Sequence, residues 1–474
     1  MSEPRVTLQW VADAVGGRLV SGRADLEIGN VAIDTRTLQR GDFFVALRGE
    51  RFDGHEFVGQ AIGKEAAGAI VERGWAGRQA GGPGAPDVAR AAIVEVADTT
   101  KALQDLAHAV RAASATRVVA ITGSAGKTTT KEAIAELLSA RFRVVKNRGN
   151  LNNHIGLPLS LMQLRERPDV AVMELGMNHA GEISTLVAIA DPDVRVWTNV
   201  GDAHIGFFAS ADAIADAKAE ILEGARPLHV LVCNADDPRV MARVGRFAGR
   251  TLTFGSAEGA TVRAHDIEEL GIDGMRARVT TPAGEREIHS PLLGRGNLAN
   301  VLAAATVALD FGIPLDEIAA GASRLTPADR RGAVRRLRGG VVLIDDSYNS
   351  SPTALTRALE VLARETRAPR KVAVLGEMLE LGEHAEALHR HCGRAAASAG
   401  LRLLFAVGGA PAQALADEAV AAGLPAAAVR HYQKSEQAAP AVVSAIQAGD
   451  LVLVKGSRGT RTDLIVDRIA AELG

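Results

Sequence analysis

The run Val118-Val119-Ala120-Ile121-Thr122-Gly123-Ser124-Ala125-Gly126-Lys127-Thr128-Thr129 has the residue types and spacing of a phosphate-binding turn. Its apolar opening predicts a strand over 117–122, and the periodicity that follows predicts a helix over 128–140. Small residues between the two let the backbone curl until successive N–H groups face one point. At that point the helix N-terminus contributes about half a positive charge. Lys127 adds a full charge, and the Thr128 hydroxyl suits a hard divalent cation. Gly123, Ser124, Ala125, Gly126, Lys127, Thr128 and Thr129 are therefore the candidate phosphate ligands. The common phosphate loop has a longer stretch before its Gly-Lys. Here only Ser124 and Ala125 follow Gly123, so this is a shortened form.

Other polar residues fall where an open parallel sheet places its ligands, beyond the carboxyl ends of strands. Glu174 ends a strand expected over 169–174, the place of a magnesium carboxylate. His204 follows Trp197-Thr198-Asn199-Val200, and Asn150 and Asn153 lie in a polar stretch after a short strand over 143–145. Singly, each has an ordinary role as a helix cap or turn residue. Together, after successive strands around one phosphate loop, they form a candidate site. Lys218, in Asp216-Ala217-Lys218-Ala219-Glu220, reads by spacing alone as a solvated helix lysine. His384, His389, His391 and Cys392 match no common metal-ligand spacing and read as a helix with one or two functional residues.

These residues must be positioned by several domains, since 474 residues exceed one ordinary core. A net charge of −2 gives no bulk attraction for nucleic acid or acidic lipid, so anionic ligands need local sites. Two cysteines, Cys233 and Cys392, exclude a disulfide framework and a thiolate zinc cage. No signal-peptide pattern and no long apolar run occur, so a cytoplasmic protein without a membrane segment is expected. The first hundred residues read as a small mixed α/β domain: a helix over 6–15, strands over 27–33, 42–46 and 69–72, and a helix over 57–67. The Gly-rich stretch 74–86 reads as an exposed loop. From 117 onward, strands over 117–122, 169–174, 194–200 and 229–234 alternate with helices, the mark of a parallel sheet. Hairpins are expected within 249–293 and a helix over 297–311. A second alternating series has strands over 340–344, 370–376, 401–407 and 450–454.

With these segments the chain resembles the Mur ligases, ATP-dependent amide-forming enzymes of peptidoglycan precursor assembly. The shortened loop has the form that family uses. Further likeness lies in Glu174-Leu175-Gly176-Met177-Asn178, Gly296-Asn297-Leu298-Ala299-Asn300, Asp346-Ser347-Tyr348-Asn349 and Leu375-Gly376-Glu377-Met378-Leu379-Glu380-Leu381-Gly382. They resemble the branch that joins D-alanyl-D-alanine to UDP-N-acetylmuramoyl-tripeptide, and the Asp-Asn-Pro-Arg segment of a sibling branch is missing. The resemblance implies an α/β fold of three domains: 1–98 for the UDP-sugar, a central P-loop ATPase over 99–325, and a Rossmann-like domain over 326–474. It implies Thr35, Arg36, Phe44 and His55 for the uridine nucleotide, and Asn297 and Asn300 near the adenine. Arg331 (favoured over Arg330), Asp346, Tyr348 and Asn349 are implied on the nucleotide from the last domain. Asn150 and Asn153 join the expected substrate contacts. Thr128, Glu174, His204 and a carbamylated Lys218 are implied as ligands of two Mg²⁺ ions, with Lys127, His204 and Lys218 catalytic. A monomer acting on small molecules is expected. Gly459-Thr460-Arg461-Thr462 departs from the family's usual continuation. Two alternatives are a folylpolyglutamate-synthetase-like ligase, which would lack the roughly 115 residues ahead of the loop, and a regulatory ATPase.

Overall fold

The computed structural model of the chain describes residues 6–79 and 91–474. Its described strands form three sheets. The first runs Arg18–Ser21, Ala92–Val96, Gly68–Glu72, Phe43–Val45, Val31–Ala32, parallel throughout except for the pairing of the outermost Arg18–Ser21. The strand expected over 27–33 shrinks to Val31–Ala32. The loop expected over 74–86 opens instead as a short helix, Trp75–Gln79, and its part from residue 80 lies outside the described residues. Trp75 is buried with Leu38, Phe44 and Val58, because an indole's apolar area outweighs the glycines around it.

The helix Thr99–Ala113 is capped by Asp98, whose carboxylate accepts from the amides of Thr100 and Lys101. Its buried stripe of Ala102, Leu103, Leu106, Ala107 and Val110 has the helical repeat. The second sheet has nine strands in the order Gly284–Ser290, Met275–Thr281, Val262–Glu269, Arg250–Gly255, Val230–Asn234, Val194–Trp197, Arg117–Thr122, Val170–Glu174, Val144–Lys146. The expected hairpins are its antiparallel edge, where the strands Val262–Glu269, Met275–Thr281 and Gly284–Ser290 pair in succession.

The third sheet runs Ala333–Arg336, Val342–Asp346, Asp450–Lys455, Arg370–Gly376, Leu403–Val407, Val429–Tyr432, and all but its first pairing are parallel. One face is covered by Leu355, Leu359, Cys392 and Leu415 from the intervening helices, the other by Ala438, Val442, Ile465 and Ile469. The doubly wound, Rossmann-like arrangement expected of this segment is present. Asp450–Lys455, last in the chain, lies between Val342–Asp346 and Arg370–Gly376. Chain order therefore reverses there, and Asp346, Lys455 and Leu375 stand side by side at the carboxyl ends. That is where such sheets bind ligands.

Two compact units are distinguished: Met1–Ala120 with Phe142–Met177 and Gly181–Val194, and Ile121–Arg141 with Asn178–Ala180 and Arg195–Gly474. Within the first, Arg111 donates to the carbonyls of Ala190 and Asp191 and pairs with Asp193 at 2.8 Å. Within the second, helices Gly294–Asp310 and Lys127–Ser139 pack together.

Candidate active site

Gly126 caps the helix Lys127–Ser139 in a left-handed conformation, φ +82°, which favours glycine. A Cβ there would also fall on the side-chain amide of Asn300. Asn300 in turn donates through Nδ2 to Asn297 Oδ1 at 3.1 Å, and Asn297 Nδ2 donates to the Leu293 carbonyl at 2.9 Å. Both asparagines singled out in the sequence thus lie in one chain of hydrogen bonds beneath the turn. The other side of the turn is held by Asn199, which accepts from the Ala125 amide at 2.9 Å and donates to the Ala125 carbonyl at 3.0 Å. Thr198 Oγ1 donates to the same carbonyl at 2.8 Å. Sequence reasoning missed Thr198 and Asn199, though their place just after the strand Val194–Trp197 was a usable signal. Lys127 Nζ donates to the Gly123 carbonyl at 2.8 Å, so its charge lies over the turn.

Lys218 corrects the reading from spacing. It lies on the helix Ala211–Ala219, whose face of Ile214, Ala215, Ala217 and Lys218 is buried, and it is only 1% exposed. Burial, and after it the charge of Lys127, holds its amine well below the usual lysine range. His204 adopts φ +65°, and its Nδ1 lies 2.7 Å from Glu380 Oε2. The imidazole beside it holds the Glu380 carboxyl below the usual carboxylate range. Among the described residues no three His, Cys, Asp or Glu side chains assemble a metal cage. A hard cation bound here would draw on the Thr128 hydroxyl, the His204 imidazole, a modified Lys218 and substrate phosphate oxygens. That donor set suits Mg²⁺, which binds few protein carboxylates and shares phosphates.

In the other unit, Glu174 is buried at the end of Val170–Glu174. Its amide donates to Asn147 Oδ1 at 3.0 Å, and its carboxylate accepts from Asn152 Nδ2 at 2.9 Å. Asn152, from the same polar stretch as Asn150 and Asn153, thus bonds this carboxylate. Asn153 Oδ1 accepts from the amides of Ile155 and Gly156, and Asn150 is exposed. Of the residues expected on the uridine nucleotide, Arg36 is exposed and pairs with Asp34, whose carboxyl it pulls down to about 2. Thr35 is buried against Gln60, and Phe44 is in the core. His55 is buried, with Nδ1 2.6 Å from Asp53 and Nε2 accepting from the Glu72 amide at 2.9 Å. These three shape the segment that presents Arg36.

In the last sheet, Lys455 Nζ lies 2.6 Å from Asp346 Oδ2 and donates to the Asn349 carbonyl at 3.0 Å. The Arg331 guanidinium sits 4.2 Å from the centre of the Tyr348 ring, with Arg458 at 6.0 Å. Arg330 instead pairs with Asp467 at 3.2 Å and turns toward Asp463. His389 is fully buried, accepting from the Met378 amide at 2.9 Å and contacting the Ala385 carbonyl. Burial pushes the Cys392 thiol up to about 12, which leaves it unreactive.

Residues 121–308 match the Mur ligase middle domain, 330–458 the Mur ligase glutamate ligase domain, and 27–111 the Mur ligase catalytic domain. A UDP-N-acetylmuramoyl-tripeptide–D-alanyl-D-alanine ligase of Bacillus subtilis is 34% identical, over 97% of both chains. A crystal structure of MurF from Acinetobacter baumannii is similar with TM-score 0.87 and 33% identity, covering 99% of this chain and 100% of that one. MurF ligase from Thermotoga maritima, solved in complex with ADP, gives TM-score 0.80 and 29% identity, covering 94% and 97%.

Proposed function

This chain belongs to the Mur ligase family, and we propose that it joins D-alanyl-D-alanine to UDP-N-acetylmuramoyl-tripeptide at the expense of ATP. The substrates are those named for its near full-length relatives. The observation that carries the chemistry is the phosphate turn under Lys127 with the buried amine of Lys218 beside it. Such a pairing suits phosphoryl transfer next to an anion, and the Thermotoga relative's ADP supports the nucleotide.

A carboxylate is a poor acylating agent because its leaving group would be oxide. Attack of the tripeptide's terminal carboxylate oxygen on the γ-phosphorus of ATP forms a mixed acyl phosphate and releases ADP. The neutral amine of the dipeptide then attacks the acyl carbon, the C–O bond to phosphate breaks, and the ammonium proton is lost to solvent or a base. Lys127 and the amides of 124–129 offset the charge on the transferring group, which is mainly positioning and electrostatics. Thr198 and Asn199 hold the turn in the conformation that aims those amides. Asn297, Asn300, Asp346, Tyr348, Asn349 and Arg331 are the proposed nucleotide contacts. Thr35, Arg36, Phe44, His55, Asn150 and Asn153 are the proposed UDP-sugar set, within a lobe over 1–98 that precedes lobes over 99–325 and 326–474.

Thr128, Glu174, His204 and carbamylated Lys218 are the proposed ligands of two Mg²⁺ ions. Bound there, magnesium supplies charge compensation for the phosphates. The lowered pKa of the buried Lys218 amine favours the free electron pair that addition to carbon dioxide requires, and this supports carbamylation. The product is an anion with two oxygens where a cation would be costly. We place the enzyme in the cytoplasm as a monomer. Among the described residues no helix is long and apolar enough to cross a membrane.

The test is oxygen transfer. With ¹⁸O in the tripeptide's terminal carboxylate, one labelled oxygen is expected in each released phosphate. Unlabelled phosphate alongside amide product would rule out the acyl phosphate.

A further inference from the structure

We propose that Glu380 is a positioning residue for His204: it holds the imidazole in the Nδ1–H tautomer, so that Nε2 presents its lone pair to the cation. This rests on the reading of His204 as a metal ligand. No role for Glu380 follows from the phosphate turn, since it is contributed by the loop after Arg370–Gly376 of the last sheet.

A carboxylate only accepts hydrogen bonds, so a neutral imidazole with Nδ1 at 2.7 Å from Glu380 Oε2 must carry its proton there. Nδ1 is buried and meets no acceptor at full hydrogen-bond geometry, and the Glu380 carboxylate lies 2.7 Å from it. Histidine ligands of metals regularly donate their second nitrogen to a carboxylate in this way.

Both loops are built for the contact. His204 and Glu380 each adopt φ +65°, left-handed conformations that side-chain-bearing residues rarely take. Such strain persists only where surroundings over-determine it. The Glu377 amide donates to Val407, that of Met378 to His389 Nε2, and that of Leu379 to Ser457 Oγ. Three consecutive anchors thus fix the approach to Glu380. The Gly206 amide donates to the Glu380 carbonyl at 3.0 Å. A Cβ on Gly206 would lie 2.5 Å from the Gly382 nitrogen, so glycine is needed for the two loops to approach. The His204 loop thus meets its carboxylate only when the loop of the last sheet is docked on it, which ties the imidazole's state to the position of that sheet.

The test uses the full chain with ¹⁵N-labelled histidine, free of metal and nucleotide, at about pH 8, above the ordinary imidazole range. His204 is assigned by H204N. The Nδ1–H tautomer is expected in the wild type and in E380Q, whose amide oxygen still accepts, and its loss is expected in E380A. Mn²⁺ alone, then Mn²⁺ with ATP, should bind about 10- to 100-fold more weakly to E380A, with E380Q closer to wild type. An unchanged tautomer in E380A, or unchanged Mn²⁺ affinity despite a changed tautomer, would overturn the role of Glu380. If wild type binds no Mn²⁺ even with ATP, the metal reading itself fails, and the proposal falls with it.

Discussion

An ammonium at position 218 would be buried and beside the charge of Lys127, so folding lowers this lysine's pKa well below the ordinary range to which it returns on unfolding. Between the lowered folded value and the ordinary lysine value of about 10.4, the unfolded state binds the extra proton. Stability should therefore rise with pH across that window and level off above it. In carbon dioxide-free buffer, urea unfolding is expected to show a slope approaching about 1.4 kcal/mol per pH unit for this one proton. K218M should lose that slope and gain stability at neutral pH. With ¹³C-bicarbonate, the wild type is expected to gain one carbamate carbon resonance that K218M lacks; its absence in wild type would remove the modified lysine. Lys127→Ala should abolish turnover in a phosphate-release assay, and retention of more than about a tenth of the rate would count against its charge-offsetting role. The phosphate turn was legible because its chemistry is local: strand, small residues, Lys-Thr, helix. The state of Lys218 was not, because Ala217 and Ala219 do not mark a helix face as buried; packing decides that.

The turn's geometry is decided where elements meet. G126A forces a side chain into a left-handed position and onto Asn300. A left-handed residue costs about 1–2 kcal/mol, so nucleotide affinity should fall about tenfold or more by calorimetry. G206A changes neither the His204 nor the Glu380 side chain, yet its Cβ would press on the Gly382 nitrogen and the Glu380 carbonyl, so it should reproduce the tautomer loss of E380A by holding the two loops apart. Parallel strands such as 370–376 and 450–454 read clearly, since burial on both faces gives unbroken apolar runs. The edge strands Ala333–Arg336 and Val429–Tyr432 did not, because arginines and a histidine on their partly exposed positions break the pattern. The pairing of His204 with Glu380 joins residues far apart in sequence through two strained loops, and no local pattern carries it.

Across the whole molecule, three sheets present polar residues at strand carboxyl ends, and the last sheet brings Asp346, Lys455 and the Glu380 loop to its reversal point. The fold class was readable from alternating strands and helices, and family membership from the shortened loop with its companion segments. The order of strands was not, since long-range pairing such as Asp450–Lys455 with Val342–Asp346 leaves no trace in local sequence. The central claim is that ATP cleavage here is committed to one amide bond. It is tested most directly by phosphate release with Mg-ATP and UDP-N-acetylmuramoyl-tripeptide, with and without D-alanyl-D-alanine. The account predicts release that depends strictly on the dipeptide and a product heavier by its dehydrated mass. Release indifferent to the dipeptide, with no heavier product, would contradict it.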